Sequence, residues 1–156
     1  MKPYHPKKYF AGLSKTRKIK RAAEIKRFGA LNWKDPKAYV GFQTDKGIKT
    51  RKSGYTQTLQ RIFAKMGHPE VHSLEDKATL SGVPHRFLLE SYNRGMAAWR
   101  TGHRPGASQQ AWGHARVASL LVCGKTYETT DADIADRAKK ASASARHWWS
   151  SVCSKK

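Results

Sequence analysis

Apolar residues recur with the period of an α-helix over the last two thirds of this 156-residue chain. One stripe, spaced at i, i+4, i+7, i+8 and i+11, consists of Tyr55, Leu59, Ile62, Phe63 and Met66. Another, spaced by fours and threes, consists of Ile134, Ala138, Ala141, Ala145, Trp148 and Val152. A half-buried strand would instead need alternating apolar residues, and the one strand-like segment is KTYETT at 125–130. The sequence therefore predicts an all-α fold.

Cap and stop signals divide this region into separate helices. Ser73 resembles the start of a capping box and opens a short helix that ends near Gly82. Pro84 suits the first turn of a longer helix, and Ser108 can cap the next one, which Gly124 stops. With the helices of the two stripes, these signals predict a small bundle of about five helices.

The amino-terminal third has a different composition and is predicted to be a basic, partly extended arm. Residues 1–54 contain 16 Lys and Arg against 3 Asp and Glu, whereas residues 55–156 contain 15 against 8. We therefore divide the chain into an arm, 1–54, with one helix and an extended linker, and a helical domain, 55–156.

The helix of the arm is predicted from SKTRKIKRAAEIKRF, which begins with a possible cap at Ser14 and precedes Gly29. Its apolar stripe is predicted to consist of Ile19, Ala22, Ile25 and Phe28. The linker that follows has Pro36, three glycines and no sustained period, and its expected anchors are Trp33, Tyr39 and Phe42.

The formal net charge of +20 is far more than solubility requires and indicates a polyanionic partner. Nucleic acid, an anionic membrane surface and an acidic protein face all meet this description. The arm supplies the candidate binding residues: Lys15, Arg17, Lys18, Lys20, Arg21, Lys26, Arg27, Lys49, Arg51 and Lys52. A solvated basic face on a docked helix is the alternative interpretation.

Residues 73–94 have the outline of a helix-turn-helix, with Ala78 in the first helix, Gly82 in the turn and Leu88 in the second helix. The second helix would then present base-reading side chains to the major groove: His85, Arg86, Glu90, Asn93 and Arg94. Polar residues at Lys77, Ser81 and Ser91 depart from the motif, so two ordinary helices joined by a turn are the competing interpretation.

The segment RTGHRPGASQQAW suggests a secondary basic site, because Arg100, His103 and Arg104 cluster beside glycines. Trp99 closes one apolar stripe and Trp112 opens the next. The bend is therefore better interpreted as a structural corner between two packed helices than as a phosphate site.

Catalytic and metal signatures are not found in the sequence. It has no carboxylate pair, GxSxG, HExxH or complete phosphate loop, and His68 and His72 lie across a Pro-containing loop. Cys123 and Cys153 lack ligand spacing, so neither a disulfide nor a zinc site is expected. We expect a protein that is not an enzyme, with no cofactor, metal or small-molecule substrate. No signal peptide or transmembrane segment is expected either.

The segment YNRGMAAWRTGHRPGASQQAWGHARVASLL resembles a group of small basic proteins encoded by large double-stranded DNA viruses of algae, whose shared domain has no assigned activity. The resemblance extends more loosely to YFAGLSKTRKIKRAAEIKRFG and to WKDPKAYVGFQTDKGIKTRKSGYTQ. It implies a virion component, made in the host cytoplasm, whose charge faces packaged DNA, the anionic inner membrane or acidic patches of capsid proteins.

The expected function is therefore that of a non-enzymatic minor capsid or internal virion protein that bridges capsid subunits and acidic partners. The alternative is a DNA-binding protein, which would condense the genome without sequence preference or use the helix-turn-helix outline.

Overall fold

The structure, a computed structural model, describes residues 6–39, 41–50 and 52–154. Those residues form eight α-helices and no β-strand: α1 (Lys15–Gly29), α2 (Gly54–Lys65), α3 (Leu74–Ser81), α4 (His85–Trp99), α5 (Gln109–Leu121), α6 (Lys125–Glu128), α7 (Ala132–Ala141) and α8 (Ala143–Cys153). The predicted all-α class is confirmed. The helices outnumber the five expected, partly because the strand-like KTYETT segment contains the short helix α6.

The chain forms two compact units, and their division differs from the one predicted at residue 54. Unit 1 contains residues 1–51 and 96–112, and unit 2 contains residues 52–95 and 113–156. The sequence prediction did not associate residues 96–112 with the arm, because that association depends on contacts between residues far apart in the sequence.

In unit 1 the linker is not extended throughout but forms 3₁₀ turns at Pro36–Tyr39 and Gln43–Asp45. Its Phe42 ring packs 4.8 Å from the ring of Phe28 and 5.3 Å from that of Trp99, between centroids. Ile25 completes the buried part of this cluster. Phe42 is thus an anchor as predicted, whereas Trp33 is 55% exposed.

The core of unit 2 is formed by apolar side chains from α2, α3, α4, α5, α7 and α8. The backbones of α4 and α5 approach each other closely, since a Cβ added to Gly95 would lie 2.9 Å from the Cα of Gly113. Two tryptophans of α8 seal the same core, with the indole nitrogens of Trp148 and Trp149 donating to the carbonyls of Leu121 and Leu120 at 2.8 and 3.0 Å.

The alanine-rich carboxyl-terminal segment forms two helices, because Ser142 interrupts the predicted single one. Ser142 has extended backbone angles, φ −143° and ψ 122°, and its hydroxyl accepts a hydrogen bond from the amide of Ala145. This bond caps α8. Of the alanines in the predicted stripe, Ala138 of α7 and Ala145 of α8 are buried, whereas Ala141, the last residue of α7, is exposed.

The two cysteines are joined in a disulfide, so the prediction that they do not pair is wrong. Cys123 follows α5, Cys153 ends α8, and their Cα atoms lie 5.6 Å apart. The bond closes a 30-residue separation within unit 2. Sequence spacing gave no indication of it, because the packing of α8 on α5 brings the two residues together.

Candidate polyanion-binding surface

Five basic side chains of α1 are exposed to solvent: Lys15, Lys18, Lys20, Lys26 and Arg27. We call this set the α1 cationic face. The one acidic residue of the helix, Glu24, is directed to the neighbouring 3₁₀ turn, where its carboxylate accepts hydrogen bonds from the amide of Gln43 at 2.7 Å and the hydroxyl of Thr44 at 2.6 Å. The α1 cationic face is therefore not neutralised by the only acid on its helix.

The first turn of α1 contains no acidic residue but carries Lys15, Arg17 and Lys18. The positive end of a helix dipole disfavours cations at this position, by about 0.3–1 kcal/mol each. Ser14 partly offsets this cost by capping the helix, because its hydroxyl accepts the amide hydrogen of Arg17 at 3.3 Å. Positive charge is thus concentrated where the backbone is already positive, which favours an anionic partner.

The rotation of α1 differs from the prediction. Its buried side chains are Arg21, Ile25 and Phe28, at i, i+4 and i+7, whereas Ile19, assigned to the buried stripe, is 71% exposed. An isoleucine therefore faces solvent while an arginine faces the core.

Arg21 is consequently not a polyanion-binding residue. Its guanidinium is fully buried and donates to the Asp45 carboxylate at 2.6 Å, the Thr44 hydroxyl at 3.0 Å and the Tyr9 carbonyl at 3.1 Å. It also donates to the carbonyl of His103. These bonds account for its burial, because a buried charge requires a counter-ion and satisfied donors.

Asp45 connects this network to the bend. Its carboxylate lies 2.7 Å from His103 Nε2 and accepts the amide hydrogen of Gly106 at 3.1 Å. Burial raises the pKa of Asp45, but the hydrogen bond and charge of His103 and the charge of Arg21 outweigh burial, so that the pKa lies below its ordinary value.

The other predicted cations of the arm are in different situations. Arg17 is half-buried and donates to the carbonyl of Lys46 at 3.3 Å, and Lys49 is exposed in unit 1. Lys52 is exposed but belongs to unit 2. Arg51 lies outside the described residues.

The three residues of the predicted secondary basic site at the bend, Arg100, His103 and Arg104, do not form one exposed basic cluster. His103 is fully buried, stacked on Trp99 with ring centroids 4.2 Å apart. Arg100 donates to the carbonyls of Phe28 and Gly29, so that it caps the end of α1. Only Arg104 remains, half-buried, so the interpretation of the bend as a structural corner fits the geometry better than a phosphate site.

The helix-turn-helix outline is present in the backbone, because α3 and α4 are joined through Gly82 in the left-handed region, at φ 77°. The carbonyl of Gly82 accepts hydrogen bonds from Ser142 and Ser144 at the start of α8, so the turn is covered. Lys77, Ser81 and Ser91 are all buried polar residues, at positions where the motif prefers small apolar ones.

Arg94, one of the base-reading candidates of α4, is held by acidic groups. It pairs with Asp133 at 2.8 Å, Glu90 at 3.0 Å and Asp131 at 3.2 Å. The hydrogen bond to Asp133 is the main cause that raises the pKa of Arg94 above its ordinary value. Phosphate would meet three carboxylates here, which contradicts a readout role for Arg94.

The other residues predicted to contact bases, His85, Arg86 and Asn93, differ in their surroundings. His85 lies 3.6 Å from Glu75, and the Arg86 guanidinium lies 4.6 Å from the Phe87 ring centroid. Asn93 is exposed.

Sequence reasoning missed Asp131, the centre of a polar network in unit 2. Its fully buried carboxylate accepts hydrogen bonds from Arg116 at 2.7 and 3.0 Å and from the Ser91 hydroxyl at 2.8 Å. Local sequence patterns gave no signal for this network, because Ser91 and Arg116 lie 40 and 15 residues from Asp131 in the chain.

Lys77 forms a second buried polar pair, also missed. Its Nζ lies 2.8 Å from His114 Nδ1. Burial lowers the pKa of Lys77 to about 8. Burial and the charges of Lys77 and His72 lower the pKa of His114 to about 4.

Across residues 6–39, 41–50 and 52–154, no three His, Cys, Asp or Glu side chains come together as metal ligands. In the same ranges, none of the helices combines the length and apolar character needed to cross a bilayer.

No curated protein and no solved structure matches this chain. The model of a family of unknown function, DUF5824, matches residues 6–138, and the chain therefore belongs to that family.

Proposed function

We propose that this protein is a non-enzymatic structural component of a virion, a minor capsid or internal protein that binds an acidic partner through the α1 cationic face. One observation carries the proposal: five basic side chains of one helix are exposed, and the only carboxylate of that helix accepts hydrogen bonds from Gln43 and Thr44. The virion assignment comes from the resemblance to proteins of algal double-stranded DNA viruses.

The distribution of charge supports unit 1 as the binding part. Unit 1 contains 17 Lys and Arg against 3 Asp and Glu, a net charge of +14, whereas unit 2 contains 14 against 8, a net charge of +6. In unit 2, acidic side chains pair with Arg94, Arg116 and Arg137. Most of the uncompensated charge therefore belongs to unit 1.

Binding to heparin, a general polyanion, tests whether the α1 cationic face binds an acidic partner. Changing Lys15, Lys18 and Lys26 to Glu should lower the affinity at least a hundredfold, because three attractions become repulsions. The matched control changes Arg61, Lys65 and Lys140, three exposed cations of unit 2, to Glu. Equal losses in both triple variants would refute a specific role for α1.

The virion role is tested in intact particles. A minor capsid protein should give density at defined symmetric positions in contact with other capsid subunits. Protein that is absent from purified particles would contradict the proposal.

Genome condensation is the second candidate, and the same helix face favours it. Five phosphate contacts would give the logarithm of duplex affinity a slope of about −4.5 against the logarithm of salt concentration. Titration of labelled duplex at two salt concentrations measures this slope. Sequence-specific readout is disfavoured, since Arg94 is held by three carboxylates.

A further inference from the structure

The exposed side of α1 combines cations with a central apolar residue. Ile19 has the largest exposed fraction, 71%, among the exposed large apolar side chains of the described part of the chain. At about 100° per residue, Lys15, Ile19 and Lys26 project along one line of the helix. Lys18 projects on one side of this line, and Lys20 and Arg27 project on the other. Ile19 thus lies at the middle of the α1 cationic face.

This arrangement is fixed by Arg21. A helix free to rotate would bury Ile19 and expose the arginine, because that choice lowers the free energy of both side chains. The bonds of Arg21 to Asp45 and Thr44 hold the helix in the rotation that buries Arg21 and exposes Ile19. The exposure of Ile19 is therefore part of the folded state and requires no local unfolding.

The phosphate backbone of a nucleic acid would complement the cations but would leave Ile19 against charged groups. The headgroup region of an anionic bilayer complements both the cations and Ile19. Lysine ammonium groups can stay beside lipid phosphates on their long stems while a shorter apolar side chain reaches the acyl boundary. Small residues, Ala22 and Ala23, flank Ile19 on the helix and would not obstruct this approach.

We infer that the acidic partner of the α1 cationic face is an anionic lipid bilayer, on which α1 lies parallel to the surface with Ile19 inserted between the headgroups. This inference rests on the proposed function, because it names the partner of the same surface. About fivefold in affinity is expected from each cation near such a surface, and about tenfold from Ile19.

The test is sedimentation of the full chain with vesicles at about 0.15 M salt. Vesicles of phosphatidylcholine containing about one third phosphatidylserine are compared with vesicles of phosphatidylcholine alone. We expect binding to the anionic vesicles, a loss of about tenfold for Ile19→Ser and a gain for Ile19→Trp. The matched control is Leu89→Ser, at a 39% exposed apolar residue of unit 2, which should bind as the unchanged chain does. Unfolding curves verify that each variant is folded.

The other outcomes separate this inference from the proposed function. Equal binding of Ile19→Ser and the unchanged chain to anionic vesicles would overturn the insertion of Ile19. Binding to duplex DNA and heparin without binding to vesicles would overturn the lipid partner while the polyanion-binding function stands. If the chain binds neither anionic vesicles nor duplex DNA nor heparin, both the lipid inference and the proposed polyanion-binding function are refuted.

Discussion

Arg21 has more influence on the α1 cationic face than any cation that belongs to it. Its bonds to Asp45, Thr44 and the backbone fix which side of the helix meets solvent. The apolar pair Ile25 and Phe28 can be extended toward the amino terminus through Ile19 and Ala22 or through Arg21. Hydropathy selects the first choice, whereas the structure adopts the second because the partners of Arg21 lie 12 to 82 residues away in sequence.

Replacing Arg21 with Met should lower the free energy of unfolding by about 3 kcal/mol, because Asp45 would lose its buried counter-ion. Arg17→Met, on the same helix and half-buried, is the control and should cost less than about 1 kcal/mol. Urea unfolding of both variants measures the difference. Losses of similar size would show that the buried network contributes nothing beyond helix packing.

Lys77 gives the stability a distinct dependence on pH. Its pKa is about 8 in the folded chain against an ordinary 10.5, so the unfolded chain binds more protons between these values. The free energy of unfolding should therefore rise from pH 8 to pH 10.5, by about 2 kcal/mol once solvent near the amine is allowed for.

The variant Lys77→Met isolates this contribution, since tyrosines also titrate at high pH. Subtracting its unfolding free energy from that of the unchanged chain at each pH should leave the rise assigned to Lys77. A difference that does not change with pH would contradict the lowered pKa.

At the scale of elements, periodicity predicted the helices well because each must bury one apolar stripe. α2 buries Leu59 and Phe63 of the predicted stripe, but Tyr55 is exposed and Met66, also exposed, lies just beyond the end of the helix. α3 begins after the predicted cap at Ser73. Boundaries that depend on tertiary contacts were missed, such as the break at Ser142 and the short helix α6. The disulfide was also missed because it depends on tertiary contacts: Cys123 and Cys153 meet only when α8 packs beside α5.

Reduction of the Cys123–Cys153 bond should destabilise unit 2 by about 3 kcal/mol, because the unfolded chain regains the entropy of a 30-residue loop. Urea unfolding with and without a phosphine reductant measures the loss. Cys153→Ala should be less stable than the oxidised chain by a similar amount and should not respond to the reductant. A response of that variant would assign the effect to something other than the disulfide.

At the scale of the whole molecule, the sequence predicted an excess of positive charge in the amino-terminal third, but it did not predict which of these side chains are exposed. Five of the ten arm candidates form the α1 cationic face, while Arg21 is buried and Lys52 lies in unit 2. Composition measures total charge, whereas burial and pairing decide how much of it meets a partner. Those depend on which segments form each unit, and residues 96–112 could not be placed in unit 1 from local patterns.

The concentration of positive charge in unit 1 should oppose folding. Lys15 and Lys18 lie in the first turn of α1, where the helix dipole repels them. Changing both to Gln should therefore raise the free energy of unfolding by about 0.5–1 kcal/mol at low salt, and the gain should shrink as salt screens the charges. The same variant should bind heparin more weakly. Lys140→Gln is the control, because Lys140 lies in the last turn of α7, where a cation is favourable, and its loss should slightly lower stability. If the Lys15 and Lys18 changes lowered both stability and binding, the two lysines would be stabilising the fold, and their charge would not be evidence of a partner.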